Sequence, residues 1–152
     1  MRIIHASLDA ITNLGSLPFV VAIMVVSWFS EAESLFWNLL WSFLATFVLI
    51  SLIKLIFFKQ RPENKGKKTS PSNLIDRIDL STFPSYHSAN AATLAILFSI
   101  HFHSLVLTFF FAFMALCVMA SRIELKKHYL VDVIFGAFFG ILATGTVLFL
   151  VS

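Results

Sequence analysis

The chain has 152 residues, of which 59% are hydrophobic and 12% charged, with a formal net charge of +3. Soluble domains carry about a quarter charged residues. That composition and a mean hydropathy of +0.90 exclude an ordinary soluble domain, and several apolar runs approach the ~20 residues a bilayer crossing needs. The calculated pI of about 9.3 would suggest nucleic acid in a soluble protein. Here the cations lie between apolar runs, placed to meet phosphate-bearing lipids at the bilayer surface, and no nucleic-acid partner is expected. The one cysteine, Cys117, sits in an apolar run, forms no internal disulfide and reads as a small core residue.

Residues 3–14 predict a short amphipathic helix with Ile4, Leu8 and Ile11 on one face and Asp9 and Asn13 elsewhere. It is expected to lie in the interface, and its polarity does not fit the apolar core of a cleavable signal peptide. Gly15 and Pro18 punctuate the chain, and residues 17–29 form the first span. Glu31 and Glu33 make a polar turn before a second span at 35–58, whose Trp37 and Trp41 suit the membrane interface. Residues 59–83 are the long polar stretch, with Glu63-Asn64-Lys65-Gly66-Lys67-Lys68 followed by Ser70-Pro71-Ser72. Within it, Leu74, Ile75 and Ile78 predict one face of a small interfacial helix starting near Ser72 or Asn73. Spans follow at 88–101, 104–120 and 129–151, with a basic loop at 121–128. The expected fold is all-α: a polytopic membrane helix bundle of about five spanning helices plus a short N-terminal interfacial helix, forming a single domain over residues 1–152.

Threading five spans puts the N-terminus, the long loop and the 121–128 loop on one face. All 11 Lys and Arg residues then fall at or near that face, while Glu31 and Glu33 lie on the other. The chemistry is expected at one end of the bundle and built for an anion.

Three segments converge there. In the first, Lys54 lies inside an apolar run, where an ionisable residue is costly and functional by default. Arg61 follows seven residues later, on the same helical face if the helix continues that far. Such a pair holds phosphate through a point charge and a planar fork; the plain alternative is a snorkelling lysine and a flanking arginine. In the second segment, Pro84-Ser85-Tyr86-His87 opens a span. Free N–H groups and the positive dipole end form an anion site there. Ser85 also reads as a simple N-cap, and His87 either as an interfacial histidine or as a general acid. In the third, Ser121-Arg122 precedes His128 and Asp132, four residues apart. On a helix those two side chains meet, and the carboxylate fixes the tautomer of a nucleophilic imidazole. A structural His–Asp pair is the alternative.

Together these segments resemble the signature of the type 2 phosphatidic acid phosphatase superfamily. Its Lys-x6-Arg-Pro is met by Lys54, Arg61 and Pro62. Its Pro-Ser-Gly-His is met by Pro84, Ser85 and His87, with Tyr86 in place of glycine. Its Ser-Arg-x5-His-x3-Asp is met by Ser121, Arg122, His128 and Asp132. The resemblance implies an integral membrane phosphatase, free of cofactor and metal, that hydrolyses a lipid phosphate or diphosphate. It implies that His128 attacks phosphorus to form a phosphohistidine, that Asp132 orients it and that His87 protonates the leaving group. Lys54, Arg61, Ser85, Tyr86 and Arg122 would bind the substrate phosphate, with Tyr86 the weakest of these assignments. A protonated His87 and a neutral His128 predict a bell-shaped pH–rate profile. Uncatalysed phosphate-monoester hydrolysis needs up to ~10²¹-fold acceleration, and three cations with a helix N-terminus supply charge stabilisation that a metal would otherwise give. Substrates of bacterial relatives include polyprenyl diphosphate, phosphatidylglycerol phosphate, phosphatidate and lipid A; the shortness of this chain favours the first. The family commonly has six spans, one more than expected here.

Three rival readings remain at this point. A metal centre at His87, His128 and Asp132 is opposed by the surrounding cations. A vanadate-dependent haloperoxidase shares the motifs. A catalytically silent lipid-binding or channel-like protein would not need all these positions filled. On sidedness, the positive-inside rule places the basic face in the cytoplasm, whereas the resemblance places the site on the outer face of a bacterial inner membrane.

Overall fold

The structure, a computed structural model, describes residues 2–65 and 71–151, with side chains from Ala6 onward. The lysine-rich run at 66–68 lies outside the described residues. Among the described residues there are seven α-helices: α1 (Arg2–Asn13), α2 (Leu17–Phe29), α3 (Glu33–Ile56), α4 (Leu74–Leu80), α5 (Tyr86–Phe102), α6 (Leu105–Glu124) and α7 (Leu130–Val151). A 3-10 turn at Pro62–Asn64 and an isolated antiparallel bridge between Gln60 and Ser81 organise the polar stretch.

The expected all-helical membrane bundle is present. α3, α6 and α7 are each long and apolar enough to cross a bilayer, and α1 with α2, bent by 48°, together qualify as a fourth span. Lipid-facing positions on these helices, such as Phe109, Phe113, Phe138 and Phe149, are exposed and apolar. α5 is different. It is 17 residues long and packs against α3, α6 and α7. Because neighbours rather than lipid surround it, it carries small and polar residues: Ala89, Asn90, Ala91, Ala92 and Thr93 are all buried.

Close approach of α5 and α7 depends on Gly136 and Gly140 (a Gly-x3-Gly stripe). A Cβ at Gly136 would sit 2.4 Å from the Ser85 carbonyl oxygen, and one at Gly140 would sit 2.5 Å from that of Ala89. Small residues let helix backbones meet in this way, and side-chain hydroxyls add polar contacts. Below the stripe Thr144 Oγ1 donates to Thr93 Oγ1 at 3.0 Å.

The small helix predicted to start near Ser72 or Asn73 is α4. Asn73 is its N-cap, accepting from the Asp76 N–H at 2.8 Å, and Leu74 and Ile75 remain 69% and 79% exposed. The elbow between α1 and α2 is held by Asn90 Nδ2, which donates to the Gly15 carbonyl at 3.0 Å.

Candidate active site

The C-terminal ends of α3 and α6 and the N-terminal ends of α5 and α7 meet at one end of the bundle. Lys54, Arg61, Tyr86, His87, Arg122 and His128 line a cavity of about 480 Å³ there, walled also by Phe47, Ile75, Ile78 and Asp79. The three sequence segments thus converge in space. Ser85 and Asp132 are not in the cavity wall but directly behind it.

Lys54 does not snorkel. It is 2% exposed, and its Nζ donates to the Ser81 carbonyl at 2.8 Å and the Ile78 carbonyl at 3.2 Å. Arg61 reaches the site differently from the helical stacking expected: α3 ends at Ile56, and residues 57–61 run extended. Pairing with the segment before α5 holds this run in place, the Thr82 N–H donating to the Lys59 carbonyl at 2.8 Å. Arg61 Nη2 donates to the Asp79 carbonyl at 2.7 Å. Arg122, 7% exposed, donates from Nη1 to Thr12 Oγ1 at 3.1 Å, which ties α1 to the site. The Nε atoms of Arg61 and Arg122 are buried without a hydrogen-bond partner among the described residues. Unpaired buried guanidinium donors beside a cavity are suited to an incoming anion.

Ser85 is the N-cap of α5. Its Oγ accepts from the Ser88 N–H at 3.4 Å and from Ser88 Oγ at 3.0 Å, and its own N–H donates to the Asp132 carbonyl at 2.9 Å. The neighbouring Tyr86, standing where the family has glycine, turns its side chain toward α3. Its hydroxyl lies 2.5 Å from Ser51 Oγ, its ring stacks on Phe47, and Lys54 Nζ sits 4.8 Å from the ring centroid.

The His128–Asp132 relationship corrects the helical expectation. α7 begins at Leu130, so His128 precedes the helix and is not one turn below Asp132 on it. His128 Nδ1 instead lies 2.8 Å from the Thr82 carbonyl oxygen and 3.0 Å from Thr82 Oγ1. The Asp132 carboxylate is fully buried. It accepts from Thr82 Oγ1 at 2.8 Å, from the Tyr129 N–H at 2.8 Å and from Lys59 Nζ at 2.5 Å. The missed residues are therefore Thr82 and Lys59. Neither is a signature residue: Lys59 occupies a variable position between Lys54 and Arg61, and Thr82 lies two residues before Pro84, so only their place in or beside a motif segment hinted at them.

Burial drives the His128 pKa well below its ordinary 6.5, the positive charges of Arg122 and Lys54 push it further down, and the hydrogen bond to the Thr82 backbone opposes them. The imidazole is thus held neutral, as a nucleophile requires.

A membrane helix bundle with a cation-lined, histidine-bearing cavity at one end is the class that fold and site define. The chain belongs to the PAP2 superfamily, which matches residues 35–151. The crystal structure of Aquifex aeolicus LpxE is similar to this chain, with a TM-score of 0.80 at 22% identity, over 97% of this chain and 87% of that one. At that identity the likeness concerns the fold. No curated protein matches the chain.

Proposed function

We propose that this protein is an integral membrane lipid phosphatase working through a phosphohistidine on His128. The observation that carries the reading is a single cavity where Lys54, Arg61 and Arg122 surround two histidines at the end of a membrane bundle. A phosphoryl group there is held by the three cations and the N-terminal end of α5. His128 attacks phosphorus, an N–P bond forms, and the P–O bond to the leaving group breaks as His87 delivers a proton to that oxygen. Water then attacks phosphorus and gives a proton back to His87; the new O–P bond forms as the N–P bond breaks, the electron pair returns to His128, and phosphate is released. The cations act on charge developing over the phosphoryl oxygens.

A lipid substrate is supported by the exposed Leu74 and Ile75 of α4 beside the cavity and by the apolar bundle below it. The tail stays in the bilayer while the headgroup reaches the basic end. Polyprenyl diphosphate is the first choice by analogy with small family members, ahead of phosphatidylglycerol phosphate, phosphatidate and lipid A. The reading puts the basic end on the outer face of a bacterial inner membrane. The test is phosphate release from each of these lipids in mixed micelles by the purified protein and by His128→Ala. Release from at least one lipid, absent in the variant, is expected; none from any of them, at any pH, contradicts the reading.

A further inference from the structure

The residues behind His128 form a bonded chain that the signature motifs do not contain. Thr82 is fully buried at its centre. Its hydroxyl has one proton and three acceptors in reach: Asp132 Oδ2 at 2.8 Å, the Lys127 carbonyl at 3.2 Å and His128 Nδ1 at 3.0 Å. The carboxylate is both the nearest and the charged one, so the proton goes there. The Thr82 carbonyl, 2.8 Å from His128 Nδ1, can only accept. Nδ1 must therefore carry hydrogen, shared between the carbonyl and the hydroxyl oxygen of the same threonine. The lone pair is then on Nε2.

The far end of the chain is also built. Lys59 Nζ lies 2.5 Å from Asp132 Oδ1, against the rings of Tyr129 at 4.5 Å and Phe83 at 5.9 Å. Lys59 also meets Thr82 directly, its carbonyl accepting from the Thr82 N–H at 2.8 Å. A buried carboxylate needs such partners.

We infer that Thr82 is the positioning residue of this site, its hydroxyl coupling Asp132 to His128 and its carbonyl selecting the Nδ1–H tautomer, with Lys59 as the counter-ion that holds Asp132. The inference rests on the reading of His128 as nucleophile. As the bond from Nε2 to phosphorus forms, positive charge grows on the imidazole. Asp132 stabilises it through the polarised Thr82 hydroxyl. Losing a hydrogen bond to a charged group of this kind corresponds to roughly 10–100-fold in rate.

The test uses the full-length protein in micelles with a lipid that releases phosphate. Thr82→Val should lower kcat by ~10–100-fold while KM changes less than ~3-fold, because the phosphate-binding cations are untouched. Thr82→Ser should recover most of that loss. In the double variant Thr82→Val, Asp132→Asn the two losses should fail to add, since both cut one pathway. A merely structural threonine would lower the melting temperature and the active fraction without this kcat-selective, non-additive pattern. Wild-type kcat in Thr82→Val, with His128→Ala inactive, overturns the inference alone. Activity in His128→Ala overturns the nucleophile reading beneath it. Should Thr82→Val not fold, ¹⁵N NMR of the wild-type histidine rings decides: the Nδ1–H form of His128 is expected, and the Nε2–H form contradicts the assignment.

Discussion

Lys54 Nζ stands 4.8 Å from the centroid of the Tyr86 ring. The residue that departs from the family pattern therefore forms one side of the site for the cavity's most buried cation. A ring face attracts a desolvated ammonium by about 0.5–2 kcal/mol, and the stack on Phe47 keeps the ring oriented. Tyr86→Phe should keep kcat/KM within ~3-fold, since the ring remains, whereas Tyr86→Leu should lose ~3–30-fold. Lys54→Met should lose ~10-fold or more, as a charged phosphate contact disappears. Steady-state phosphate release from the three variants checks the order; a larger effect of Tyr86→Phe than of Tyr86→Leu would mean that the hydroxyl matters more than the ring.

Packing between α5 and α7 yields a stability prediction. Gly136→Ala and Gly140→Ala drive a methyl group into backbone atoms of Ser85 and Ala89, which have no rotamer to yield. Each should cost about 1–3 kcal/mol. Gly136→Ala should also lower activity, because Ser85 caps the helix that carries His87. A Cβ at Gly145 meets nothing within 4 Å, so Gly145→Ala should melt at or above the wild-type temperature. Thermal unfolding in detergent compares the three; equal melting of Gly136→Ala and Gly145→Ala would contradict the close helix approach.

The pH dependence follows from the His128 environment. Its folded pKa is depressed below 6.5, so over the interval beneath 6.5 the unfolded chain binds the proton and the folded chain does not. Stability from this group is fully present above 6.5 and declines as pH falls toward the lowered value. Melting temperature should therefore drop more steeply from about pH 8 to about pH 5 in the wild type than in His128→Gln. Over the same range the nucleophile stays neutral, so its titration should not produce an acid limb in kcat/KM near 6.5. Parallel melting curves for the two proteins would show that the site does not suppress imidazole protonation.

Much of this was legible in advance, unevenly. The predicted 17–29 segment coincides with α2, although α2 is long enough to cross a bilayer only together with α1, and Pro18 and Glu31 fall in the first turn of α2 and in the turn before α3. Hydropathy locates helices by their lipid-facing residues, so it failed at ends held by the site. α6 continues four residues past the predicted 120, to Glu124, because Arg122 and Ser121 are buried at the bundle end rather than exposed to water. α3 stops at Ile56 before reaching Arg61, since the extended 57–61 run pairs with the segment around Ser81. Six of the residues singled out by motif spacing line one cavity. Spacing misread the geometry of His128 and Asp132, because an i, i+4 argument assumes a helix that begins only at Leu130. Thr82 was invisible for a related reason: its role comes from tertiary hydrogen bonds across 46 and 50 residues of sequence, which no local pattern encodes.

The most direct test of the central claim is covalent trapping at His128. Protein mixed with a lipid carrying ³²P in the hydrolysed phosphate, then quenched in alkali, should carry label on the peptide containing His128. The label should be absent from His128→Ala and should increase in His87→Ala when a good leaving group makes proton donation unnecessary for the first step. Label on no histidine, together with phosphate release that survives His128→Ala, would contradict the account.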